Sequence, residues 1–231
     1  MGYALAAPRM AADGIATLRI DFMGNGDSTA SYRDYNYTSA VIDAKAAADY
    51  LAGLETVDGG NLGVMGWSQG GTDALLAAEA HPGTFQAVVT WSGALELNGA
   101  SLFAGTSFED AYAQAKKEGF YTMTFDWREP LELGERWFQE VAETNILKVT
   151  ADIKAPILAI NGKDDTTVTP DNAEKIVKAA ANADSQLLLV DNCDHTYNVF
   201  SGDFTALYQT VDATAAFFQA QLIPAAAQAA A

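Results

Sequence analysis

Short apolar runs rich in β-branched residues alternate along this chain with longer, alanine-rich stretches whose apolar positions recur at helical spacing. Gly14–Phe22 (GIATLRIDF), Asn61–Gly66 (NLGVMG), Phe85–Gly93 (FQAVVTWSG), Ala155–Asn161 (APILAIN) and Ser185–Asp191 (SQLLLVD) read as strands. Between them, Tyr37–Leu54, Gln69–Ala80, Pro170–Asn182 and a closing segment, Thr205–Leu222, read as helices. Thr38 or Ser39 is placed to cap the first of these, and His81-Pro82-Gly83 stops the second. The opening Gly2–Gly14 (GYALAAPRMAADG) reads as one more helix. Strands that are continuously apolar and separated by helices imply a parallel sheet covered on both faces, so the predicted class is α/β.

Residues 93–150 break this rhythm. They hold nine aromatics (Phe103, Phe108, Tyr112, Phe120, Tyr121, Phe125, Trp127, Trp137 and Phe138) and no βα unit. They read as an insertion forming a lid over the strand ends, with a plain alternative in which the rings only pack a small core of their own. The division expected is a core of residues 1–92 and 151–223, the insertion 93–150, and a low-complexity tail, 224–231.

Composition adds limits. A chain of 231 residues, 49% hydrophobic and 19% charged, suits one large packed domain. Its net charge of −17 repels phosphates, so neither nucleic acid nor an anionic membrane is an expected partner. A lone cysteine, Cys193, excludes an internal disulfide and leaves cytoplasm as the default compartment. The N-terminus has no signal-peptide pattern, and no apolar stretch approaches the ~20 residues of a membrane span, so a soluble protein is expected.

The candidate chemistry begins at Gly66-Trp67-Ser68-Gln69-Gly70, which fits G-x-S-x-G with a strand before it and a helix after it. A sharp turn there forces the serine into a strained conformation, and the pattern predicts that both residues two positions away must lack bulky side chains. The hydroxyl is lifted toward the strand ends, and the Gln69 amide points to where a tetrahedral intermediate carries charge. A serine needs a base, and the chain has two histidines. His81 ends the helix that Ser68 begins, roughly 18 Å away at ~1.5 Å per residue, and reads as a surface histidine. His195 follows the last predicted strand in VDNCDHTYN and reads as the base. For the acid, Asp164 and Asp165 leave another strand end in AINGKDDTTVTP; Asp194, beside the histidine, reads as loop chemistry. Cys193 reads as a packed thiol, since no turn presents it. No His/Cys/carboxylate group has metal-ligand spacing, and no metal or cofactor is expected.

Together RIDFMGNGDS, GWSQGG, INGKDDTTVTP and DNCDH resemble the α/β-hydrolase superfamily, in particular serine esterases of the cinnamoyl/feruloyl type and acylaminopeptidase-like hydrolases. The likeness spans nearly the whole chain. It implies a G-x-x-D-x-x-V pattern in which Gly162 and Val168 single out Asp165, and it makes Gly24–Ser28 a structural loop. It also implies earlier strands, one of which lies between Gly14–Phe22 and Asn61–Gly66 and donates a second oxyanion amide; this sequence shows none of them. Three consequences are open: a start ahead of Met1, direct pairing of the two flanking strands, or a homo-oligomer that covers exposed sheet edges. The function implied is hydrolysis of small-molecule esters by Ser68, His195 and Asp165. The alternatives are a peptidase removing acylated residues, or a hydrolase remnant serving as a binding or assembly module.

Overall fold

The computed structural model describes residues 2–99, 102–103, 105–125 and 128–223. In chain order these form α1 (Gly2–Ala12), α2 (Tyr37–Ala52), β1 (Leu62–Trp67), α3 (Gln69–Ala80) and β2 (Phe85–Trp91). An inserted region follows with α4 (Phe108–Glu118), β3 (Phe120–Met123), β4 (Leu131–Gly134), α5 (Glu135–Glu143) and α6 (Ile146–Asp152). The chain closes with β5 (Ile157–Gly162), α7 (Asp171–Ala179), β6 (Gln186–Val190) and α8 (Thr205–Leu222).

The main sheet runs β1-β2-β5-β6, every pair parallel, with Val64 opposite Val88, Val88 opposite Ile157 and Leu158 opposite Gln186. Parallel strands bury both faces, which is why their apolar runs are unbroken. On one face Val89, Trp91 and Ile160 pack against Met10 of α1 and Leu207, Val211 and Phe218 of α8. On the other, Val88, Ile157 and Ala159 pack against Ala74–Ala78 of α3, Ile146 and Ile176. All the strand ends that carry the predicted chemistry emerge at one edge of this sheet.

Helix α2 starts one residue earlier than its expected caps. Asn36 is the N-cap; its side chain accepts from the Ser39 amide, and the Ser39 hydroxyl accepts from the Asn36 amide, a reciprocal pair in which Ser39 takes the third helical position.

Gly14–Phe22 corrects the sequence reading. The segment is not a strand, and no backbone group of residues 16–21 makes a backbone hydrogen bond within the described residues. Its β-branched composition suits a strand, but a strand exists only through a neighbour. The free edge of β1, which could have served, is separated from it by a cavity of about 590 Å³.

The insertion holds two helices and the antiparallel β3–β4 hairpin before α6. Phe103, Phe108, Trp137 and Phe138 are buried together in a separate cluster that it shares with Tyr35 and Ala40 of the preceding chain. Tyr112 stacks on Phe138 with ring centres 5.7 Å apart. Trp127 and the tail 224–231 lie outside the described residues. No helix among the described residues is long and apolar enough to cross a membrane.

Candidate active site

β1 ends in the glycine-flanked turn that the pattern predicted. Ser68 sits there at φ 57° and ψ −123°, a region L-residues avoid, as the N-cap of α3. The turn is held by its backbone: the Ser68 amide donates to the Trp91 carbonyl at 2.8 Å, and the Ser68 carbonyl accepts from the Gly71 amide at 2.9 Å. Glycine is demanded at positions 66 and 71 but not at 70. A Cβ at Gly66 would lie 1.8 Å from the Gly70 carbonyl oxygen, and one at Gly71 would lie 2.7 Å from the Gly93 Cα. A Cβ at Gly70 would meet nothing within 4 Å, so that position has room for at least a methyl group: the residue faces the cavity beside β1. As the first residue of α3, Gln69 has an amide with no intrahelical acceptor, available to a developing negative charge.

His195 meets Ser68 across 127 residues of sequence, with Nε2 3.1 Å from the serine Oγ. Its Nδ1 lies 2.8 Å from Oδ2 of Asp165, whose side chain is fully buried. The other Asp165 oxygen, Oδ1, accepts from the Thr167 and Val168 amides at 2.9 and 2.8 Å. Burial works to raise the Asp165 carboxyl, but hydrogen bonds from His195, the Val168 amide and the Ser92 hydroxyl outweigh it and hold the group below the usual carboxylate range. Asp165 is therefore a buried carboxylate held ionised against the imidazole of His195. Asp164 next to it is exposed.

The loops bearing Asp165 and His195 are locked together at Gly162. A Cβ there would lie 2.1 Å from the Cys193 carbonyl oxygen, and that same oxygen accepts from the Asp164 amide at 3.0 Å. Cys193 is fully buried, and burial followed by the nearby charges of Asp194, Asp165 and Asp164 pushes its thiol up to about 12. Asp194 accepts from the Thr196 and Asn198 amides and shapes the turn. His81 caps the far end of α3. The structure thus brings Ser68, His195 and Asp165 together and leaves His81, Asp164, Asp194 and the Cys193 thiol out of the series.

Three contributors escaped the sequence reading. The Trp67 indole N–H donates to the His195 carbonyl at 2.9 Å, with the two rings 5.4 Å apart, so the residue between glycine and serine tethers the His195 loop. The Gln69 side-chain amide donates to the Tyr35 hydroxyl at 3.1 Å, and that hydroxyl donates to Oδ2 of Asp73 at 2.6 Å. Asp73 is 2% exposed and its Oδ1 has no hydrogen-bond partner; burial pushes it up to about 7 despite the Tyr35 bond. One signal for it was available: Asp73 is a carboxylate one helical turn from Gln69, directly ahead of the apolar run Ala74–Ala78. The large cavity beside β1 is lined by Gly66, Gly70 and Asp73 but not by Ser68 or His195, so it lies behind the reacting side of the turn.

The geometry agrees with what comparison with known proteins finds. Est1E from Butyrivibrio proteoclasticus, solved with ferulic acid bound, is similar with a TM-score of 0.78 at 21% identity, over 96% of this chain and 84% of its own. The monoacylglycerol lipase of Paleococcus ferrophilus gives 0.73 at 17% identity, over 95% and 89%. Mouse alpha/beta hydrolase domain-containing protein 10 gives 0.68 at 16%, over 94% and 83%. These likenesses show the α/β-hydrolase fold. The model of the prolyl oligopeptidase family matches residues 3–223, and the chain belongs to that family.

Proposed function

We propose that this hydrolase cleaves carboxylic esters through an acyl-enzyme, with Ser68 as nucleophile, His195 as base and acid, and Asp165 as the orienting anion. The observation that carries the reading is the unbroken hydrogen-bonded series from Ser68 Oγ through His195 to Asp165, with the serine on a strained turn. As Oγ attacks the ester carbonyl carbon, its proton passes to Nε2 of His195, and the carbonyl oxygen becomes an oxyanion beside the Gln69 amide. His195 then gives the proton to the departing alkoxide as the C–O bond breaks, leaving the acyl group on Ser68. Water repeats the sequence in reverse roles and releases the acid.

Esters are favoured because the similar solved structures include a ferulic-acid complex and a monoacylglycerol lipase. The match to the prolyl oligopeptidase family supports a second reading, removal of acylated residues from peptides. Initial rates on p-nitrophenyl butyrate and on an N-acetylated aminoacyl p-nitroanilide rank the two. Ser68→Ala is expected to abolish both and to block labelling by a fluorophosphonate. Hydrolysis that persists in that variant, or a folded protein whose Ser68 resists the label, refutes the assignment.

A further inference from the structure

In the acyl-enzyme reading the peptide N–H of Gln69 meets the oxyanion, so whatever fixes residue 69 fixes the donor. One side of that peptide is pinned by backbone. The Ser68 carbonyl, which shares a plane with the Gln69 N–H, accepts from the Gly71 amide at 2.9 Å and from the Ala94 amide at 3.3 Å. The N-cap side chain adds nothing, because the Ser68 hydroxyl makes no capping bond and lies 3.1 Å from His195 Nε2. The second fixed point is the Gln69 side chain, whose Nε2 donates to the Tyr35 hydroxyl at 3.1 Å across 34 residues of sequence. Holding a long side chain in one place costs rotamer freedom, so the anchor must itself be rigid.

Tyr35 meets that demand. It is 5% exposed, with its ring 5.4 Å from that of Tyr32 and 6.1 Å from that of Phe22. The single turn Tyr32–Asp34 that leads into it is clamped by the β3–β4 hairpin of the insertion. A Cβ at Gly134 would lie 2.1 Å from the Arg33 carbonyl oxygen, and the Arg33 guanidinium lies 3.5 Å over the Phe120 ring and donates to Glu132 at 2.7 Å. On its other side Asn36 caps α2, so the chain is held both before and after Tyr35.

Asp73 decides which way the phenol points. A tyrosine hydroxyl has one proton, and here it goes to Oδ2 of Asp73 at 2.6 Å, leaving the oxygen to Gln69 as an acceptor. With that proton free to turn, the hydroxyl could donate to the carboxamide oxygen of Gln69 instead, and the side chain would be held by the wrong end. Gln69 and Asp73 lie four residues apart on α3, so one face of the helix reaches Tyr35 twice. A buried carboxyl is costly to keep, and the hydrogen bond that Asp73 makes among the described residues is the one to Tyr35.

We propose that Tyr35 and Asp73 are positioning residues for ester cleavage: Asp73 orients the Tyr35 hydroxyl, the hydroxyl holds the Gln69 side chain, and residue 69 keeps its peptide N–H aimed at the oxyanion. The inference rests on the acyl-enzyme reading of Ser68. Removing an oxyanion donor outright slows turnover about 10²–10³-fold; loosening one is expected to slow it about 10-fold, in kcat rather than KM, because the bond strengthens only as charge develops. Tyr35→Phe removes one oxygen and keeps the ring, and Gln69→Met keeps the length and the peptide N–H. Each is expected to lower kcat on p-nitrophenyl butyrate about 10-fold with KM within about twofold. Each should weaken inhibition by a trifluoromethyl ketone, whose serine adduct carries an oxyanion, by the same factor. Both substitutions together should cost no more than one, since they break the same bond. Asp73→Ala should match Tyr35→Phe, and Asp73→Asn, which keeps an oxygen for the hydroxyl, should restore kcat to within about threefold of the parent.

Rates are expressed per Ser68 titrated with a fluorophosphonate, so a variant that merely folds less well loses sites and not kcat. Four results overturn the inference: kcat per site within about twofold of the parent in Tyr35→Phe and Gln69→Met, a loss confined to KM, losses that multiply in the double variant, or an Asp73→Asn no faster than Asp73→Ala. Should Tyr35→Phe fail to fold, Gln69→Met breaks the same bond from its half-buried end and is read against the same limits. A parent that neither cleaves the ester nor takes the label refutes the Ser68 assignment and this inference with it. A parent that does both, beside unaffected variants, refutes this inference alone.

Discussion

Asp73→Asn isolates the cost of holding a carboxyl beneath the Ser68 turn. Asparagine keeps an oxygen for the Tyr35 hydroxyl, which donates to Asp73 at 2.6 Å, and removes the charge. Well below pH 3.8, folded and unfolded chains both carry the proton and the group contributes nothing to pH dependence. Between 3.8 and about 7, the folded chain keeps a proton that the unfolded chain has released, because burial raises the folded-state value. Each pH unit upward through that window removes about 1.4 kcal/mol of stability. Above about 7 the folded protein must hold a buried carboxylate, and the accumulated cost is roughly 4 kcal/mol at most. Tyr32, Tyr35 and Tyr37 around it are all raised by burial, so the phenols stay neutral throughout. Asp165, lowered by its partners, has the opposite slope, stabilising at higher pH and losing that contribution as pH falls through its folded value, but it is common to both proteins and cancels. Urea unfolding followed by tryptophan fluorescence should show the variant gaining on the parent steadily from about pH 4 to about pH 7 and levelling off above it. A difference between the two that stays constant over that range refutes the reasoning.

Other outcomes follow from the same geometry. Gly66→Ala, with its Cβ 1.8 Å from the Gly70 carbonyl, should lower stability by more than about 3 kcal/mol, whereas Gly70→Ala should raise it by about 0.5–1 kcal/mol through helix propensity; paired thermal melts decide. Gly162→Ala displaces the Cys193 carbonyl and with it the loop carrying His195, so ester turnover should fall at least about 100-fold, beyond what the melting shift explains. Asp165→Asn leaves the shape but removes the fixed anion, and kcat is expected to drop roughly 10⁴-fold with fluorophosphonate labelling slowed in step; near-normal turnover would exclude the orienting role.

What could be read in advance depended on how local its cause was. Ser68, its strand and α3 were legible because an apolar run, a glycine-bounded turn and an alanine-rich helix follow one another within twenty residues of sequence. His195 was legible by scarcity, as only one of the two histidines follows a strand. Asp165 over Asp164 came from a family pattern, and the structure supplies its reason in the close approach at Gly162. Gly14–Phe22 was misread because composition reports what a segment could pair with, not whether a neighbour is there. The Tyr35–Asp73–Gln69 linkage joins residues 38 positions apart, and no periodicity reveals it. The room beside Gly70 depends on an adjoining wall the sequence does not display.

The lone cysteine gives this protein an internal clock. Cys193 is sealed from solvent and held protonated at neutral pH, so a thiol reagent cannot react while the loop from Gly162 to His195 stays closed. The rate at which Ellman's reagent is consumed therefore counts openings of the very segment that delivers the imidazole. Loosening of the site thus becomes measurable without any substrate.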